Sequence, residues 1–196
     1  HIIDLFEKYM ISEYIISLNY KSNIIKAYLD DTVYFNKIKY LNESKPLGTI
    51  GSLSLYKPEK NQFFLSNCDI IIDLDLDKLL EFHNEMRNSV TIVTSLQKKI
   101  LQYGICEISQ DGDLCKIIEK PVQSHLVNTG FYVLNSEILE FIPPNKYLDF
   151  PDFINKVLAS NKKTGVYPIM EDQWSDLGEW RKYHRSLNNM INEEGR

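Results

Sequence analysis

Two rhythms of apolar positions alternate along this chain. Ile2, Ile3, Phe6, Tyr9 and Met10 recur at helical spacing, so an amphipathic helix opens it. Tyr14 to Leu18 is a short apolar run of strand type, and Ile24, Ile25, Tyr28 and Leu29 restore the helical period. The pattern predicts a strand over Ile38 to Leu41, a short helix over Ser52 to Tyr56 and a buried strand over Gln62 to Ser66. Leu76, Leu79, Leu80 and His83 predict a helix ending near Arg87, and the β-branched run Val90 to Thr94 predicts a strand. Helix and strand taking turns imply crossover units around a parallel sheet, with helices on both faces.

The second half changes character. Tyr103 to Ile108 and Leu114 to Ile118 read as a hairpin with Asp111-Gly112 at its turn. Leu126 to Leu134 is a strand pattern interrupted at Asn128-Thr129-Gly130. A short helix over Ser136 to Phe141 stops at Pro143-Pro144. Phe153 to Leu158 reads as helix, Gly165 to Ile169 as strand and Leu177 to Met190 as a last helix. The expected fold is one α/β unit, doubly wound, with a mostly parallel mixed sheet that turns partly antiparallel in its second half.

Composition narrows the class. The 196 residues are 43% hydrophobic and 25% charged, as in an ordinary globular chain. A net charge of −5, with scattered Lys and Arg, lacks the footprint of a nucleic-acid binder. No apolar run approaches the ~20 residues of a membrane span. Cys68, Cys106 and Cys115 form no CxxC, so the expectation is reduced, mostly buried thiols in a cytoplasmic protein. The first residues carry no initiator Met and read as the inside of a helix, which leads us to expect a piece of a longer product.

Several short stretches could carry chemistry. Asp69 follows "FFLSNC" at a strand's carboxyl end, where open α/β sheets collect ligands. It reads either as a Mg²⁺ ligand or as a helix-capping or solvated carboxylate. Asp73, Asp75 and Asp77 suit helix entry better. Asp176 in "QWSDLGEW" reads as a second carboxylate for the metal or as a cap, with Trp174 and Trp180 as core. In "EKP", Lys120 suits a phosphate and Glu119 suits hydroxyls, or the two are a surface pair before a turn. "VNTG" places Gly130 in a strand pattern, marking either a bulge or the close approach of a ligand. "ESKPLGTIGSL" reads as a turn into a helix: Pro46 sets the entry, Thr49 can cap, and Gly48 and Gly51 leave the backbone bare. His1, His83, His125 and His184 lie near no Ser or Cys motif, so covalent catalysis has no support; His83 reads as packing.

Taken in order, "PLGTIG", "SNCD", "YG", "EKP", "VNTG" and "WSDLG" resemble the sugar-1-phosphate nucleotidylyltransferases. The likeness leans towards members that use GTP with mannose-1-phosphate or amino-sugar phosphates. It implies a nucleotide-diphospho-sugar transferase fold, and a nucleoside triphosphate and a sugar-1-phosphate as substrates. It implies that Pro46, Leu47, Gly48, Thr49 and Gly51 bind the nucleotide, the two glycines staying bare to admit the base. Asn67, Tyr103, Gly104, Glu119, Asn128, Thr129 and Gly130 would hold the sugar. Lys120 would hold its phosphate, and Asp69 and Asp176 would bind Mg²⁺. The product would feed glycan or polysaccharide assembly, and the likeness leaves room for a homo-oligomer.

Two departures stand out. Ile50 sits where the family usually has Ala, either narrowing the base pocket or repacking the helix start. The family's first strand and its glycine-rich loop with Arg and Lys should precede His1, and no GxGxR-like segment occurs here. The expectation is therefore one nucleotidyltransferase domain over residues 1–196, incomplete at its N-terminus, with room for a regulatory domain upstream. A catalytically inactive regulatory paralogue is the alternative. A Rossmann dinucleotide binder lacks its GxGxxG.

Overall fold

The elements follow the predicted alternation closely. The computed structural model describes residues 2–178. In chain order it has α1 (Ile2–Glu7), β1 (Tyr14–Leu18), α2 (Ser22–Asp30), β2 (Ile38–Asn42), α3 (Gly48–Gly51) and β3 (Gln62–Ser66). Then come β4 (Ile70–Ile72), α4 (Leu76–Glu85), β5 (Val90–Ile100), β6 (Ile105–Ile108) and β7 (Leu114–Ile118). Last are β8 (Val122–Asn135), α5 (Phe150–Ala159), β9 (Thr164–Ile169) and β10 (Trp174–Asp176). Short 3₁₀ turns run over Ser52–Leu55 and Ser136–Phe141, where the sequence predicts short helices. The helix predicted over Leu177 to Met190 lies, beyond Gly178, outside the described residues, as do Trp180, His1 and His184.

The fold is mixed α/β. β1 and β2 pair in parallel through the α2 crossover, Tyr14 opposite Ile38 and Leu18 opposite Asn42. β3, β8, β5 and β9 form a four-stranded sheet in that order, and β4–β10 and β6–β7 are antiparallel pairs. Contacts divide the chain into two compact units. The first holds residues up to Ser66 with Asp75–Thr91 and Tyr132–Gly165; the second holds Asn67–Leu74, Ile92–Phe131 and the chain from Val166.

The first unit's core is built on helical spacing. In α4, Leu76, Leu79 and His83 are buried at i, i+3 and i+7, and the Asp75 side chain caps the helix by accepting from the Lys78 amide at 3.1 Å. Phe150, Phe153 and Val157 repeat that spacing in α5, with Pro151 in the first turn. The Phe150 ring stacks on Tyr132 at 3.8 Å between centroids. His83 is packing, as predicted, and fully hydrogen-bonded: Nε2 donates to Asn135 Oδ1 (3.1 Å), and the Thr91 hydroxyl donates to Nδ1 (2.7 Å). Burial pushes its pKa below the ordinary value, against the raising effect of the Asn135 bond.

α2 forms as its spacing predicts, yet it buries none of its residues, and Ile24 and Tyr28 stand 66% and 73% exposed. Three expectations need correction. The break predicted at Asn128–Gly130 is absent. β8 runs unbroken with Gly130 at φ +80°, and the Asn128 carboxamide accepts from the Gly130 amide (3.0 Å), supplying locally the bond that holds this bend. Asp69 does not end β3, which stops at Ser66; it lies three residues on, just ahead of β4. The thiols are exposed rather than buried. Cys106 and Cys115 sit on the β6–β7 hairpin, whose strands are exposed along most of their length. Cys68 sits in the loop after β3.

Candidate active site

The second unit brings the two predicted carboxylates together through a pairing too short to read in the sequence. β10 runs antiparallel to β4, with Trp174 opposite Ile72, Ser175 opposite Ile71 and Asp176 opposite Ile70. The ladder extends one step further, the Leu177 amide donating to the Asp69 carbonyl at 2.9 Å. Asp176 therefore arrives beside Asp69 across more than a hundred residues of chain. Both carboxylates face the bare Cα of Gly178. A methyl group built there would lie 3.0 Å from Asp176 Oδ1 and 3.7 Å from Asp69 Oδ2. The Gly178 amide donates to Asp176 Oδ1 at 2.7 Å, which orients that carboxylate. Asp69 is exposed and Asp176 half-buried.

This donor set fits Mg²⁺. That ion takes one or two carboxylates and leaves its other positions to water and phosphate oxygens. Two hard oxygen groups converging over an open glycine supply that arrangement. No cluster of three acidic, His or Cys side chains occurs among the described residues, so the site is not a closed protein cage. Beside it, desolvation and then the Asp69 charge push the Cys68 thiol above its ordinary value.

Asn67 and the "VNTG" segment adjoin each other. The Asn67 amide donates to the Gly130 carbonyl at 2.8 Å, and a Cβ on Gly130 would lie 2.5 Å from Asn67 Nδ2. Gly130 is thus bare to admit the Asn67 side chain. Thr129 is 1% exposed; its hydroxyl donates to the Val93 carbonyl (2.8 Å) and accepts from the Phe131 amide (3.3 Å). That hydroxyl holds β8 to β5 and is committed inward. The Thr129 carbonyl accepts from Trp174 Nε1 at 3.0 Å. Sequence reasoning placed Trp174 only as core; nothing in its spacing signals this bond.

Farther along the unit, Gly104 is open towards Glu119, whose Oε2 lies 3.1 Å from where a Cβ would stand. Tyr103 is 82% exposed. Lys120 holds φ +43° immediately before Pro121, a left-handed conformation that a residue before proline rarely takes.

The predicted nucleotide loop belongs to the first unit, and its glycines have an internal explanation. The Ile50 and Gly51 amides both donate to the Leu148 carbonyl at 3.2 Å, and the Leu148 amide donates to the Leu47 carbonyl at 2.9 Å. A Cβ on Gly48 would lie 2.6 Å from the Leu148 carbonyl oxygen, and one on Gly51 2.6 Å from that of Lys146. The chain at residues 146–149 occupies the space that the sequence reading reserved for a base. Leu47 and Ile50 are buried, at 1% and 0% exposure, so Ile50 repacks the core and does not narrow a pocket. Pro46 and Thr49 are exposed. Thr49 does not cap its own helix: its hydroxyl accepts from the Phe150 amide at 2.8 Å and so caps α5, and its amide donates to Asp149 Oδ1 at 3.2 Å.

Known proteins give this geometry a context. The chain is 29% identical, over 98% of its length, to the mannose-1-phosphate guanylyltransferase catalytic subunit beta of Dictyostelium discoideum, of which it covers 55%. It is 28% identical, over 96% of its length, to the D-glycero-alpha-D-manno-heptose 1-phosphate guanylyltransferase of Campylobacter jejuni, of which it covers 83%. The chain spans about half the length of the mannose-1-phosphate guanylyltransferases it matches. Among solved structures, HddC from Yersinia pseudotuberculosis superposes with a TM-score of 0.69 at 25% identity, covering 96% of this chain and 83% of that one. The family model described as nucleotidyl transferase matches residues 1–193, and with the paired carboxylates and the shared fold it establishes that this chain belongs to that family, alongside the sugar-1-phosphate guanylyltransferases.

Proposed function

We propose that this protein makes a nucleoside-diphosphate sugar and pyrophosphate from a nucleoside triphosphate and a sugar-1-phosphate. The observation that carries the reading is the convergence of Asp69 and Asp176 on Gly178. The names of the relatives favour GTP as the nucleotide and a manno-configured sugar phosphate as its partner.

An oxygen of the sugar phosphate attacks the α-phosphorus in line. A new P–O bond forms, the bond to the β-phosphate's bridging oxygen breaks, and pyrophosphate leaves. Such a transfer asks the protein to align two anions and offset their charge. Bound between Asp69 and Asp176, Mg²⁺ would draw charge from the α-phosphate oxygens. Lys120, exposed before Pro121, holds the phosphate of the attacking sugar as a point charge. Glu119, Asn128 and Asn67 meet the sugar hydroxyls, with Tyr103 and Gly104 alongside. Thr129 serves by holding β8 in place. The loop from Pro46 to Gly51 keeps its nucleotide role through the family likeness, with the exposed edge at Pro46 and Thr49 as its contact face. Three exposed thiols suit a reducing compartment, and we place the protein in the cytoplasm. Among the described residues no helix is long and apolar enough to cross a membrane.

The test is pyrophosphate release by the intact protein, with each of the common nucleoside triphosphates against a panel of hexose, hexosamine and heptose 1-phosphates. Release with GTP and a manno-configured sugar supports the reading in full. Silence in every combination refutes it and favours a regulatory paralogue.

A further inference from the structure

We propose that Trp174 is a positioning residue that sets the Asp176 carboxylate for the divalent cation. The inference rests on the reading of Asp69 and Asp176 as a metal pair. β4 and β10 are three residues each, and a two-stranded pair that short is marginal alone. Something outside the pair must hold it. Two bonds between Asp73 and Gln173 prolong the pair, at 2.8 and 3.2 Å, and the Trp174 indole ties it to β8 by donating to the Thr129 carbonyl at 3.0 Å. That acceptor is a firm anchor: Thr129 is 1% exposed, and its own hydroxyl is bonded to Val93. Trp174 and Asp176 are two apart on one strand, so their side chains leave the same face. The indole bond thus sets the height and tilt of the face that carries the carboxylate. At the far end, the Leu177 amide bond to Asp69 and the Gly178 amide bond to Asp176 complete the alignment. The indole and the Asp73–Gln173 bonds fix one end of the strand and the backbone bonds at Leu177 and Gly178 the other, so tilt lost at Trp174 reaches the carboxylate two residues on.

Trp174→Phe removes the donor and keeps a ring. The measurement is Mn²⁺ binding to the intact protein without substrates, followed by the electron paramagnetic resonance of free Mn²⁺. Asp176→Asn is the control. Removal of a group that orients a metal ligand typically costs about 10–100-fold in affinity, and that is the expected loss for Trp174→Phe with its melting temperature near the parent's. Affinity within about twofold of the parent would overturn the proposal, since the same principle sets tenfold as the floor. A parent that binds no Mn²⁺, or an Asp176→Asn variant that binds as the parent does, defeats the metal reading itself and the proposal with it. Should Trp174→Phe fail to fold, ¹⁵N-indole spectra of the parent decide, with Trp180→Phe used for assignment. Saturating Mg²⁺ should move the Trp174 Nε1–H resonance. A resonance unmoved while the backbone amides of Leu177 and Gly178 shift would refute the coupling.

Discussion

Alanine at three glycines separates the two explanations of the bare "GTIG" backbone. Gly112 lies at φ +90° with nothing within 4 Å of a built Cβ, so alanine there meets backbone strain alone. Gly51 has an ordinary helical φ of −62°, yet its Cβ would stand 2.6 Å from the Lys146 carbonyl oxygen, so alanine there meets only a clash. Gly48 has both: φ +79° and a Cβ 2.6 Å from the Leu148 carbonyl oxygen. Left-handed strain costs about 1–2 kcal/mol and overpacking about 1–3 kcal/mol, so Gly48→Ala should cost about 2–5 kcal/mol before a common offset. That offset, about 0.4–1 kcal/mol from a stiffer unfolded chain, applies alike to all three and preserves the order. For a chain of this size each kcal/mol moves the melting temperature by about 2–4 °C. Thermal unfolding without nucleotide should therefore rank Gly112→Ala mildest, Gly51→Ala intermediate and Gly48→Ala worst, the last lowered by roughly 5–15 °C. If Gly48→Ala and Gly51→Ala melt with the parent while KM for the nucleotide rises, the glycines face a ligand and the internal-packing argument is wrong.

Other residues give direct tests. Asp69→Asn or Asp176→Asn should lower kcat by about 10²–10³ with far-UV circular dichroism unchanged; parental turnover would remove them from the metal site. His83, whose pKa is depressed by burial, binds fewer protons folded than unfolded below its unfolded value of about 6.5. Its stabilising contribution is complete above that pH and is lost as pH falls towards the folded pKa, so melting temperature should drop on acidification from about pH 6.5, and a flat profile in His83-intact protein would contradict the burial. Thr49→Val removes the hydroxyl that caps α5 a hundred residues away and should cost about 1 kcal/mol in urea unfolding; no change would show that Phe150 finds another acceptor.

Most of the secondary structure was legible because it follows one signal at a time. β1 and β3 match their predicted spans, and α4 and α5 follow apolar positions at i, i+3 and i+7. The pattern failed where burial is not written in residue type. Ile24 and Tyr28 have the right spacing in α2, yet spacing reports a stripe and says nothing of what covers it. β4 is three isoleucines, so its residue types show no alternation although the middle one is exposed, and its partner β10 has a single large apolar residue. A pairing of three residues across a hundred positions is invisible to any local window.

The site shows the same division at the level of single groups. Motif order located the carboxylates, because charge and sequence context survive in the residue names. What each group faces depends on distant backbone. "GTIG" and "VNTG" both announced a close approach to the chain, and in both cases the approaching atoms belong to the protein: the carbonyls at Lys146 and Leu148, and the Asn67 carboxamide. Gly178 differs. Its open side meets two carboxylates, 3.0 and 3.7 Å from a built Cβ. The β4–β10 register gathers them, and the Gly178 amide orients one of them. The proposed cation site rests on that pairing. Among the glycines at 48, 51, 130 and 178, Gly178 is the one whose built Cβ would meet two carboxylates, and the sequence pattern alone gave it no such role.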